Sequence, residues 1–234
     1  MRSSLRNSIA VGFLMAIGKG ILPGGVDFSF AKTQPNGLVE PSLTITAHVY
    51  NYARVERAPL ALAEKEATKI FQRAGLRIEW ENVPISSLQS TNFADESPLS
   101  STDIYLRIVL SSAVGALGHD REETLGFALA SSKRRATSDA WVFSDRVEAA
   151  QGIAPWHAIL GDAMAHEIGH LLLGSYPHSF SGLMRAEWRW EEYVSSAQGR
   201  LLFTPREAEL MRAEVLARIR QQNTTQRVGS FLAK

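Results

Sequence analysis

Ala165-His166-Glu167-Ile168-Gly169-His170-Leu171-Leu172-Leu173-Gly174-Ser175-Tyr176-Pro177-His178 is the stretch that decides how the rest of the chain is read. It closes a longer apolar run, Pro155 to Leu173, whose spacing predicts a single helix stopped by Gly174. Inside a helix His166 and His170 stand four apart, so both imidazoles leave one face, one above the other. Two nitrogens so placed can chelate one Zn2+, with Glu167 beside them as a general base for water.

A catalytic zinc takes three protein ligands and keeps one position open, so a third ligand is required. Gly174 falls one turn past His170, where a left-handed residue ends the helix and reverses the chain. His178, four residues further on, is placed to return to the metal; the alternative is an ordinary loop histidine. Five-residue matches to H-E-x-x-H arise by accident in many helices, and a buried histidine pair can be packing alone. The predicted helix, its glycine stop and a third histidine within the same 13 residues, out of six in the chain, favour the metal site.

The composition narrows the chemistry around that motif. The 234 residues are 45% hydrophobic and 21% charged, enough to build a core and suited to one domain. With 25 Lys+Arg against 24 Asp+Glu the net charge is +1, so nothing here points to nucleic acid as a partner. Cysteine is absent, which removes disulfides, thiolate metal sites and cysteine nucleophiles together. Any tight metal site must use imidazole or oxygen.

At the start, Arg2 and Arg6 precede the apolar run Ile9 to Ile17, and Ser29-Phe30-Ala31 offers a small-x-small cleavage site. We therefore expect a signal peptide over 1–31 (the alternatives being an uncleaved anchor or a disordered start), a turn-rich linker over 32–42, a catalytic domain over 43–222 and a flexible tail over 223–234. The expected location is periplasmic or secreted, with no stable membrane span once the signal is removed, since no run of 18 apolar residues exists. Oligomeric state has no signature in the sequence.

Leu43 to Tyr50 alternates apolar with polar residues and predicts a half-buried strand. Pro59 to Ala74 carries helical spacing and stops at Gly75; Leu76 to Trp80 predicts a second strand. Asp103 to Leu110 is the clearest strand, with shorter ones at Leu125 to Ala130 and Ala140 to Ser144 around the basic loop Lys133-Arg134-Arg135, to which we assign no function. Ser175 to Gln198 has no clear periodicity. Thr204-Pro205-Arg206-Glu207 combines a threonine cap, proline at the first helical position and glutamate three residues after the cap, opening a helix to about Gln221.

With its motif, the chain resembles the metzincin clan of zinc peptidases, whose signature is H-E-x-x-H-x-x-G-x-x-H followed by a tight turn with a methionine beneath the metal. Ser181-Gly182-Leu183-Met184 looks like that turn, six residues after His178. Val49-Tyr50-Asn51-Tyr52-Ala53 and Ala74-Gly75-Leu76 look closest to a group of small exported bacterial metzincin-like proteins. The resemblance spans roughly Leu43 to Gln221, although only about twenty residues carry specific identity. It implies an α+β domain with a small, twisted, mostly parallel sheet of about five strands, a backing helix, an active-site helix and a C-terminal helix.

Two departures stand out. The spacing here is H-E-x-x-H-x-x-x-G-x-x-x-H, one residue longer on each side of the glycine, which turns the helix end by about 100°. Two residues after Met184 stands Ala186, where some clan members have a ligating tyrosine. Should His178 not reach the metal, Glu187, Glu191 or Glu192 could supply a carboxylate.

On this reading one Zn2+ is held by His166, His170 and His178, Glu167 is the catalytic base, and Met184 supports the site by packing. The substrate is a peptide or protein, lying along a strand that includes Leu125, Gly126, Phe127 and Ala128, as the resemblance implies. The competing functions are a non-catalytic zinc-binding module and a zinc hydrolase acting on something other than peptides. Asp162, one turn before His166, is expected to be a solvated helix acid or, alternatively, to orient an imidazole. Trp188 and Trp190 are candidates for a pocket wall or for core. His48, His119 and His157 are read as ordinary strand, loop and helix residues, and Asp145-Arg146 as a structural ion pair.

Overall fold

In a computed structural model of the chain, the residues described are 42–84, 100–113, 124–130, 138–150, 152, 154–174 and 178–232. The expected signal segment, the basic loop Lys133-Arg134-Arg135 and His119 lie outside them. The alternating segment near the start forms β1 (Thr44–Asn51), and the first amphipathic run forms α1 (Arg57–Arg73). There follow β2 (Arg77–Asn82), β3 (Asp103–Val109), β4 (Gly126–Ala130) and β5 (Ser138–Phe143). Helices α2 (Ser144–Ala149), α3 (Trp156–Leu173), α4 (Trp190–Ala197) and α5 (Pro205–Leu232) complete the described chain.

The five strands form one sheet in the order β2-β1-β3-β5-β4. β1, β2, β3 and β5 run parallel, and β4 is antiparallel to β5 at the edge. This is the small, mostly parallel sheet with a backing helix, an active-site helix and a C-terminal helix that the sequence implies. The period-2 pattern sends Ile45, Ala47, Val49, Ile104, Leu106, Ile108, Ala140 and Val142 to one buried face. Leu60, Ala63, Ala67, Ile70 and Phe71 of α1 join the same core, as do Leu160, Met164 and Ile168 of α3.

α3 is buried around most of its circumference, from Ala158 to Leu172 with only His170 partly open. It meets α1, the sheet, α2, α4 and α5. A helix apolar on all sides belongs in a core, and this one carries the motif there. Its end is set by Gly174, whose φ of +60° and ψ of −127° are open to glycine and strained for other residues; the Gly174 N–H donates to the His170 carbonyl at 2.9 Å. α5 opens as its sequence foretells: Thr204 Oγ1 accepts from the Glu207 N–H at 3.3 Å and Glu207 Oε2 from the Thr204 N–H at 2.7 Å. It then continues to Leu232, beyond the end of its apolar spacing at Gln221.

The second face of the sheet is polar and aromatic. His48 stacks on Tyr105 with ring centroids 5.5 Å apart, and its Nδ1 lies 3.1 Å from Glu81 Oε2. Arg107, 3% exposed, forms an ion pair with Asp139 at 2.8 Å and lies over the rings of Tyr50 and Trp141. Asp145 and Arg146 turn to other partners: Asp145 accepts from the Ser111 N–H and hydroxyl, while Arg146 donates to Thr124. A buried guanidinium deprived of its carboxylate is costly, whereas removing both charges together is not. Asp139→Ala should therefore destabilise by about 3 kcal/mol in urea unfolding, and Arg107→Met combined with Asp139→Leu should recover most of that loss. Equal loss in the single and double variants would show that the pair does not act as a unit.

Candidate active site

α3 projects His166 and His170 one turn apart, with ring centroids 4.7 Å from each other, and the chain returns beyond Gly174 to bring in His178. The His178 ring centroid lies 4.6 Å from that of His170 and 5.7 Å from that of His166. One nitrogen from each of the three falls within 4.8 Å of the others, so the set could hold a metal ion. The acidic alternatives are not part of it. Glu192 Oε1 accepts from Arg185 and its Oε2 from the Arg189 N–H at 2.9 Å; Glu187 and Glu191 are exposed.

His166 Nδ1–H donates to the Leu183 carbonyl at 2.6 Å, which leaves its lone pair on Nε2. That Nε2 lies 3.0 Å from His170 Nε2. Two nitrogens bound tetrahedrally at about 2.0–2.1 Å from zinc stand roughly 3.3–3.4 Å apart, so the separation fits one ion shared between them. Burial pushes the His166 imidazole down to about 3, with the neighbouring His170 and His178 adding to the effect. Burial and His178 push His170 down to about 4, and burial lowers His178. All three are neutral at physiological pH, the form in which imidazole ligates a metal.

The turn after His178 is built by the chain itself. The Ser179 N–H donates to the Met184 carbonyl at 2.9 Å, and the Leu183 N–H to the Leu202 carbonyl at 3.0 Å. Met184 is buried against α3: a Cβ on Gly169, between the two helix histidines, would come within 2.8 Å of its Sδ. The Leu183 carbonyl also accepts from Trp188 Nε1–H at 3.1 Å, and the Trp188 ring meets that of His166 edge-on. Ser179 Oγ donates to Glu207 Oε1, so the carboxylate that caps α5 also grips the residue after His178. Glu207 is completely buried.

Glu167 lies on the adjacent side of α3 beneath the edge strand. Its carboxyl is buried, and burial raises it to about 8; a dication at the histidines would draw it back toward the ionised form. Gly126 makes this placement possible, because a Cβ there would meet the Trp141 carbonyl at 2.2 Å and the Glu167 side chain at 2.9 Å. Above it runs a cleft of about 1090 Å3 whose one wall includes Leu125, Gly126, Phe127 and Ala128. The facing wall follows Met184 and includes Arg185, Trp188 and Tyr193. Trp190, by contrast, is exposed and outside the cleft. His48 and His157 are also distant in role, on β1 and in the first turn of α3.

Asp162 is neither solvated nor bonded to an imidazole. It is 2% exposed, facing Ser196 of α4 and Glu66 of α1, because α3 has no solvent side for it to occupy. Three contributors were not apparent from sequence: the Leu183 carbonyl, the second bond of Glu207 and the close approach at Gly126. Each depends on a partner far along the chain and leaves no local pattern, except that a glycine beginning a short strand hints at a close backbone approach.

No protein-family model matches the chain, and no curated protein matches it. Among solved structures it is similar to an archaemetzincin from Methanopyrus kandleri, at 13% identity and a TM-score of 0.46, over 76% of this chain and 99% of that one. It is also similar to a zinc-dependent peptidase from Methanocorpusculum labreanum, at 14% identity and a TM-score of 0.42, over 70% of this chain and 99% of that one. No helix among the described residues is long and apolar enough to cross a membrane.

Burial raises the Asp162 carboxyl from 3.8 to about 8, with Glu66 adding to it and the Ser196 hydroxyl opposing. The folded chain keeps a proton that the unfolded chain releases near pH 4, so this position costs stability progressively from about pH 4 to about pH 8. Asp162→Asn should raise the thermal midpoint at pH 7.5, with the gain vanishing as pH falls to about 4. A pH-independent difference would refute this account. Glu207→Ala frees Ser179 as well as the α5 cap, and should weaken Zn2+ binding about tenfold in a competitive chelator titration. Unchanged affinity would mean that His178 is held without that tether.

Proposed function

We propose that this protein hydrolyses peptide bonds as a zinc-dependent endopeptidase with Glu167 as general base. The observation that carries the reading is the convergence of His166, His170 and His178 beside a buried glutamate at the floor of a strand-edged cleft. A non-catalytic zinc-binding module has no use for a carboxylate buried at that spot, whose burial is itself unfavourable. A non-peptide substrate would leave without a role the outer edge of β4, which ends the sheet among the described residues. An exported location, argued from 1–31, and a single zinc ion belong to the same proposal.

Zinc, when bound by three neutral imidazoles, supplies a Lewis acid for the scissile carbonyl and acidifies water at the open position. The chain does the rest. His166 is oriented by the Leu183 carbonyl and His170 by its place one turn further along α3. Glu167 accepts a proton from the attacking water and delivers it to the leaving amine. A dication at the histidines would hold Glu167 in the ionised form that the first half of that transfer needs, against the burial that favours its protonated form. Extended substrate pairs with the edge of β4 that faces away from β5, to which no strand among the described residues is paired. Trp188 and the Leu125 side of the cleft shield the reacting atoms from bulk water.

Purified protein should cut members of an unbiased peptide library, and chelator should stop it. Glu167→Gln should retain zinc by elemental analysis yet lose at least about 100-fold in kcat/KM, the scale of a general base. Cleavage that survives in this variant would overturn the mechanism.

A further inference from the structure

The wall that follows Met184 holds a guanidinium with capacity to spare. The Arg185 N–H donates to the Gly182 carbonyl at 3.2 Å, which fixes the backbone at the turn. One side-chain nitrogen, Nη1, donates to Glu192 Oε1 at 3.2 Å. Glu192 is buried and its second oxygen accepts from the Arg189 N–H, so it cannot swing to follow another partner. Among the described residues no further acceptor meets the Arg185 guanidinium, which lines the cleft and has a side chain 22% exposed.

A guanidinium presents five N–H donors in a rigid fork, and a fork gripped at one nitrogen keeps a defined orientation. Its open donors match the two oxygens of a carboxylate. Burial next to Glu192 restricts the head group's motion, so less entropy is lost on binding than for a free surface arginine. The charges nearby do not cancel this fork. Arg189 and Glu187, both exposed and of opposite sign, line the same wall and offset one another, which leaves the Arg185 guanidinium in place.

We propose that Arg185 forms a carboxylate-binding subsite in the cleft, which selects substrates carrying an anionic group close to the scissile bond. The proposal rests on the peptidase reading, and it names the substrate class of that site. The carboxylate has two possible sources, an acidic side chain or a free C-terminus, with one chemistry. Arg185 acts by binding substrate, while Glu192 is a positioning residue that aims it.

The test uses the full chain loaded with Zn2+ and two peptide series. One is blocked at both ends and carries Glu or Gln at each position around the cleaved bond. The other carries a free C-terminal carboxylate or its amide at increasing distance from that bond. Wild type should favour the acid over the amide by about tenfold or more in kcat/KM, in the first series for a side-chain site and in the second for a terminal one. In Arg185→Gln the ratio should fall to about one, and in Arg185→Lys it should be intermediate. The ratio is internal to each variant, so partial misfolding leaves it readable. A structural bridge from the turn to α4 would alter overall activity and leave the ratio alone. No acid preference in wild type, or a preference unchanged in both variants, overturns the proposal. If no peptide is cut, the peptidase reading fails, and calorimetry with the acid and amide peptides on Glu167→Gln and on Glu167→Gln/Arg185→Gln decides the subsite separately. Acid-selective binding lost with Arg185 supports it, and equal binding of acid and amide overturns it.

Discussion

The bond from His166 Nδ1–H to the Leu183 carbonyl is the joint on which this site depends. It fixes the tautomer, and hence which nitrogen faces His170 and His178. It also ties α3 to the turn that contains Met184, two elements separated by the whole excursion around His178. The Leu183 carbonyl can serve because its own residue is held from behind, by the Leu183 N–H bonded to Leu202. Trp188 takes the carbonyl's second lone pair and so places the cleft wall relative to the same atom. Helix, turn and wall thus share one acceptor, and a shift of that peptide would move all three.

Burying the helix that carries the motif has a cost, and the structure shows how it is met. Charged groups in a core are tolerated when they are neutralised or paired. The two helix histidines are neutral because burial disfavours their charged forms, which is also the state needed for ligation. Glu167 and Asp162 on the same helix are pushed toward their protonated forms. Only Glu167 opens on the cleft, through the space left by Gly126, and so only it can exchange a proton with substrate. Asp162, sealed behind α4, has the same kind of shifted carboxyl without an opening.

Much of this was legible in the sequence, for reasons that differ by element. β1 and β3 declare themselves because one face is apolar and alternation has a period of two. The Thr204 and Glu207 cap is legible because both partners lie within four residues. The histidine set is legible from spacing, since four residues of helix and a glycine stop constrain where side chains go. α4 was not, because its eight residues, half of them polar, span little more than two turns, too short a window for the pattern to register. The reach of α5 to Leu232 was missed since its last turns depend on backbone bonding and on Thr224 and Thr225 bonding back to the carbonyls four residues earlier. Asp162 was misread because a helix buried on all sides offers no polar face against which to judge it.

The lengthened spacing between His170 and His178 is the chain's clearest departure from the pattern it resembles, and it compensates itself in reach alone. One extra residue before Gly174 carries the helix end on by about 1.5 Å and about 100°, which by itself would aim the exit away from the histidines. The added residue after Gly174 lengthens the return by up to about 3.3–3.6 Å, more than the helix has advanced. Reach is therefore restored, but direction is not, and a longer arm costs more conformational entropy to hold in one place. The anchors sit where that cost falls. Ser179, next to His178, is fixed by its N–H to the Met184 carbonyl and by its hydroxyl to Glu207, so the arm is pinned immediately beyond its ligand. Length supplies the reach, and the two bonds at Ser179 supply the direction that length leaves open, which makes the Glu207 tether part of how His178 is held.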